Sequence, residues 1–207
     1  MKKAILIVIG VLLTYGNIIA QECLDVNFKL RGYFYVGTSQ EDSDALGGFY
    51  KAKNSPIKIT KEIKELSKTN SFQVIVQTDS IVEFEKGIIG FKVLIINATD
   101  STIELPAQDS RIYLKRQVYY KNKWQDIEYL PSSWCGNSYH SVFINSKEYW
   151  NLKAPCIQGK LNAKFRFELT SNQSVFHSNE FIGSFNKQQL NKEQGHKPNG
   201  IMDPYNN

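Results

Sequence analysis

Histidine and cysteine are scarce in this chain, with three of each among 207 residues. His140, His177 and His196 lie far apart and form no H-x-x-x-H pair, whereas a tetrahedral zinc site gathers several N or S ligands. No G-x-S-x-G elbow surrounds any serine, and no acid stands where it would orient an imidazole. With 13 Gly and 6 Pro the chain is neither collagen-like nor low-complexity. No apolar run reaches the roughly 20 residues that cross a bilayer. The lysines are dispersed among acids with no basic, aromatic-laced stripe, which speaks against a nucleic-acid partner. No internal repeat is visible. What remains is an average composition, 42% hydrophobic and 22% charged, that suits one globular domain with a real core.

The N-terminus carries an address. Lys2 and Lys3 precede the apolar stretch Ala4 to Leu13, and a more polar exit ends at Ala20. This is the pattern of a secretory signal peptide over residues 1–20, so the mature chain is expected in the periplasm or the medium of a bacterium with no stable membrane span. The residues before Cys23 are too large for a lipoprotein signal, so no lipid anchor is expected there. Cleavage after Ala20 lowers the formal charge from +5 to +3.

Export implies an oxidising compartment, in which cysteines pair. Cys135 and Cys156 both sit in the patterned region and Cys23 in a loose N-terminal segment, so the expected disulfide is Cys135–Cys156, worth about 3 kcal/mol by loop entropy. Cys23 is then the spare thiol. A Cys135–His140 nucleophile is the functional rival, and five residues of spacing give it little support.

Lys160 to Leu169 alternates five polar with five apolar residues, Leu161, Ala163, Phe165, Phe167 and Leu169, which describes a strand with one buried face. Phe72, Val74 and Val76 also alternate. Phe91 to Ile96 is a continuous apolar run, suited to a central strand covered on both faces. Ile103 to Leu105 extends until Pro106. Ile112, Leu114, Val118 and Tyr120 share one parity, interrupted by Arg116. Lys121-Asn122-Lys123 reads as a hairpin tip before a return through Trp124, expected in the core. Further strands are expected at Ser141 to Ile144 and Asn179 to Ser184. Short strands with frequent turns describe an all-β fold, an antiparallel β-sandwich of immunoglobulin-like type over residues 72–186. Residues 21–71 join it through a first strand, the acidic loop Gly37 to Gly48 and a short helix at Thr60 to Lys68, for which Ser55-Pro56 could supply the start, although the β-branched run Ile57 to Thr60 argues for a strand instead. Lys187 to Asn207 reads as a disordered tail.

Two features invite chemistry. Glu41, Asp42 and Asp44 offer oxygen ligands without the ordered spacing of a calcium loop, so no metal or cofactor is expected. Tyr129 to Tyr149 is rich in Ser, Asn and aromatics, the composition of recognition surfaces. Trp134, Asn137, Ser138, Tyr139, His140, Tyr149 and Trp150 are therefore the candidate binding residues, while Ser138 or Ser141 with His140 offers a hydrolase alternative. Asn97-Ala98-Thr99 and Asn172-Gln173-Ser174 match the N-glycan sequon.

The Met-Lys-Lys start with Ala-Gln-Glu at its end, FKVLIINATDSTIEL, the KNKW hairpin, CGNSYH and GKLxxKFRFEL together resemble exported proteins common in Bacteroidota. The resemblance covers about residues 72–186 and implies an immunoglobulin-like sandwich without an assigned activity. The order of turn, Trp-hairpin and Gly-strand is also loosely similar to proteinase-inhibitor domains, from which Cys135, Cys156 and the segment between them depart. The expected function is an exported, non-enzymatic module that binds a protein or a surface glycan, with a periplasmic immunity protein or inhibitor as the alternative.

Overall fold

The computed structural model describes residues 22–47, 53–133, 135–172 and 174–195, so the expected signal segment 1–20, Trp134 and the last twelve residues lie outside them. Among the described residues the strands are β1 to β16 in chain order, with one α-helix and two short 3-10 turns.

Alternation builds the five-stranded sheet. β14 (Leu161–Thr170) buries Phe165, Phe167 and Leu169 and turns Lys164, Arg166 and Glu168 outward. It pairs antiparallel with β8 (Leu114–Tyr120) on one edge, and with β15 (Val175–His177) and β16 (Phe181–Phe185) on the other. The inward parity of β8 runs Leu114, Arg116, Val118 without a break, so the charge that interrupts the apolar pattern goes into the core. Lys121 and Asn122, with φ of 52° and 61°, make the tight turn to β9 (Lys123–Asp126). Positive φ at both central residues gives the twist that a two-residue hairpin needs. Trp124 pairs with Tyr119, which is on the wet parity. It is accordingly half-buried on the outer face, under the Arg166 guanidinium at 4.3 Å, rather than in the core as expected.

The apolar run becomes β5 (Ile88–Asn97), flanked by β4 (Phe72–Glu85) and β12 (Glu148–Pro155), with β3 (Ile57–Lys58) beyond β12. Val93 and Ile95 face the main core, whereas Leu94 and Ile96 meet Ile63 of α1 (Lys61–Leu66) on the opposite face. Both sides are covered, which is why the run is continuous. The helix starts at Thr60, whose hydroxyl accepts from the Ile63 N–H. Ser55-Pro56 cannot start it because Ile57–Lys58 are already paired with β12.

A three-stranded sheet of β11 (Tyr139–Ile144), β6 (Ile103–Gln108) and β7 (Arg111–Ile112) shares the same core, which lies between the four-stranded sheet and the other two. At its end Asn97, fully buried, donates to the carbonyls of Ser101, Ile144 and Asn145 and accepts from Thr99. That sequon asparagine is a turn organiser. Two short parallel pairs bring the N-terminal segment onto the sandwich: β1 (Leu24–Asp25) on β13 (Ile157–Gln158), and β2 (Leu30–Arg31) on β10 (Glu128–Tyr129). Residues 187–195 are not solvated tail. Lys187–Leu190 form a capped 3-10 turn, Gln189 is buried, Leu190 packs on the second apolar cluster, and Glu193 bridges to Lys29.

Candidate functional site

The structure does not gather the expected recognition residues on one surface. Tyr149 and Trp150 are adjacent in β12 and therefore point to opposite faces. Tyr149 is buried beside α1, and Trp150 is fully buried in the main core with its indole N–H donating to Gly37 O at 2.9 Å. Both leave the candidate surface, because alternation in a central strand of a covered sheet hides each of them. Ser138 is buried in the 3-10 turn Gly136–Ser138 and hydrogen-bonded to Ser133 Oγ. Asn137 and Tyr139 are exposed, and the Tyr139 hydroxyl accepts from the Ser133 N–H. The hydrolase arrangement is not assembled. Nε2 of His140 accepts from the Ser110 N–H at 3.1 Å, while the Ser141 hydroxyl donates to Glu104. Burial holds the His140 pKa below its ordinary value, opposed by Asp42 and Asp109. Asp42 is spent on the fold as an acceptor for the Ser141 N–H. Among the described residues no cluster of three His, Cys, Asp or Glu is placed to hold a metal ion.

The disulfide is Cys23–Cys156, not Cys135–Cys156, and Cys135 is an exposed free thiol. The N-terminal segment is not loose. Leu24 N donates to Cys156 O, Cys156 N to Ile89 O, and Ile89 N to Glu22 O. These bonds bring the Cα atoms of Cys23 and Cys156 to 4.7 Å, within disulfide reach.

That N-terminal segment builds one side of a cleft of about 880 Å³. Leu24, Val26, Phe28 and Leu30 supply one wall, Phe84 and Ile88 at the β4–β5 hairpin another, and Lys192 to Gly195 a third. The third wall is held by Lys29 N donating to Lys192 O, Gln194 N to Lys29 O, and Arg31 N to the Gln194 side chain. Arg31, Glu85, Lys192 and Glu193 put both charge signs among the lining residues. The volume lies within the range of ligand sites in general, and the lining mixes apolar with charged side chains.

Tyr33 lines the cleft with its ring, and its hydroxyl reaches inward to donate to Glu128 at 2.7 Å. Glu128 also accepts from the Arg116 backbone N–H at 2.9 Å and pairs with the Arg116 guanidinium at 3.2 Å. Arg116 donates onward to Pro155 O and Tyr33 Oη and lies over the rings of Phe91 and Phe167. Arg116 and Glu128 are each 1% exposed. Burial raises the Glu128 pKa and Arg116 opposes it; burial, then the Glu128 charge, raises that of Tyr33 well above its ordinary value. An aromatic floor is thus fixed from below by a buried ion pair. A buried pair of this kind confers geometry more than stability. Tyr33, Arg116 and Glu128 escaped sequence reasoning because they come from three distant segments. The one local sign was a charge at a core-parity position of β8.

Among the described residues no helix is long and apolar enough to cross a membrane. No family model, curated protein or solved structure matches this chain.

Proposed function

We propose that this is an exported, non-enzymatic, immunoglobulin-like binding module whose cleft recognises an apolar segment of a partner protein. The observation that carries the reading is the cleft itself, with two aliphatic and aromatic walls and a polar third on a floor anchored by Tyr33, Glu128 and Arg116. Of the two partner classes expected from the sequence, a protein is favoured over a glycan. Leu24, Val26, Leu30 and Ile88 suit apolar side chains, and Arg31, Glu85, Lys192 and Glu193 supply charges of both signs that a polypeptide can pair with and a neutral sugar cannot. The disulfide supports export, since such bonds persist in oxidising compartments. Its sulfur at Cys23 is also unavailable for lipidation.

The test is capture from the native envelope fraction by the immobilised exported chain. Wild type and Tyr139→Ala are expected to retain the same protein, and Val26→Glu and Phe28→Glu to lose it while keeping the wild-type circular dichroism. Capture that survives both cleft variants and disappears with Tyr139→Ala would move the site back to the Ser-rich segment. Inhibition of capture by soluble envelope glycans would favour the sugar reading.

A further inference from the structure

We propose that the native disulfide is made by exchange, through an earlier Cys135–Cys156 bond that the unfolded chain prefers, with Cys135 as the leaving thiol. The two cysteines of the native bond are 133 residues apart, with Cys135 between them. Cys135 and Cys156 are only 21 residues apart. Closing a flexible loop becomes harder as the three-halves power of its length, so the unfolded chain favours Cys135–Cys156 over Cys23–Cys156 by about fifteenfold. The folded chain reverses that preference. Pairing of β1 with β13 sets Cys23 against Cys156, and Cys135 is left at the exposed start of the 3-10 turn.

The chemistry balances in two steps. A small-molecule disulfide such as oxidised glutathione takes two electrons and two protons from Cys135 and Cys156, which form the first bond. As β1 docks, the Cys23 thiolate attacks Sγ of Cys156. The Cys23–Cys156 bond forms, the Cys135–Cys156 bond breaks, and Cys135 departs as a thiolate that takes up a proton. No further oxidant is consumed. An exposed Cys135 suits this role, because the leaving sulfur must be free to move away. The inference is independent of what the cleft binds.

The experiment starts from the reduced, unfolded full-length chain in a glutathione buffer, with samples alkylated over time and their disulfides mapped by peptide mass. In denaturant, Cys135–Cys156 is expected to exceed Cys23–Cys156 by about fifteenfold. On dilution into native buffer it should decay as Cys23–Cys156 rises, and a catalytic amount of a disulfide isomerase should speed the conversion. Cys135→Ser should form the native bond in a single phase insensitive to the isomerase. Appearance of Cys23–Cys156 as the first bond, or identical kinetics for wild type and Cys135→Ser, overturns the proposal.

Discussion

Replacing Glu128 by Gln tests the account of the cleft floor most directly. The change keeps the side-chain shape but removes the charge that faces Arg116, whose side chain is 1% exposed. Removing one partner of a buried pair leaves the other charge uncompensated, at a cost of about 3–5 kcal/mol. For a domain of this size each kcal/mol lowers Tm by about 2–4 °C, so Glu128→Gln is expected to melt roughly 6–20 °C below wild type. Arg116→Met/Glu128→Leu removes both charges together. It should cost far less than the sum of the single changes, because well-packed apolar replacements of buried pairs are often neutral or better. Urea unfolding of the wild type, Arg116→Met, Glu128→Leu and the double, closed as a cycle, measures the coupling. A single variant within 1 kcal/mol of wild type, or a double equal to the sum, refutes the buried-pair reasoning.

Three further outcomes are expected. Cys23→Ala/Cys156→Ala should lose about 4–5 kcal/mol in urea unfolding, the chain-entropy cost of releasing so long a loop, whereas Cys135→Ala should change little and abolish the reactive thiol seen by titration of the unreduced chain. His140, whose folded pKa is lowered, holds its full contribution above the unfolded value and loses it as pH falls through the folded value; thermal melts from pH 7.5 to 5 should show that loss in wild type, flattened in His140→Gln. Asn97→Ala should destabilise by about 2–3 kcal/mol in urea, since three carbonyls lose a buried donor, with stability within 0.5 kcal/mol of wild type marking the turn as dispensable.

Local pattern alone determined that the chain builds antiparallel strands into a sandwich. Period-two alternation at 161–169, the unbroken run at 91–96 and the hairpin tip at 121–122 each state a face or a turn by short-range sterics and burial, and each becomes the expected element. The turn is one residue shorter than the expected tip of Lys121 to Lys123, and carried across its two residues the strand parity sets Trp124 opposite Tyr119 on the outer face. Only the tertiary structure decided which cysteines pair, that Tyr149 and Trp150 are core rather than surface, that 187–195 are folded, and where the cleft lies. The reason is one of distance along the chain. Leu24, Phe84, Pro155 and Gln194 meet at one cleft, and Tyr33, Arg116 and Glu128 meet beneath it, while sequence periodicity reports only what a residue does relative to its near neighbours. Loop entropy points to Cys135–Cys156; the docking of β1 on β13 overrides it by holding Cys23 against Cys156 with backbone hydrogen bonds that no stretch of sequence displays.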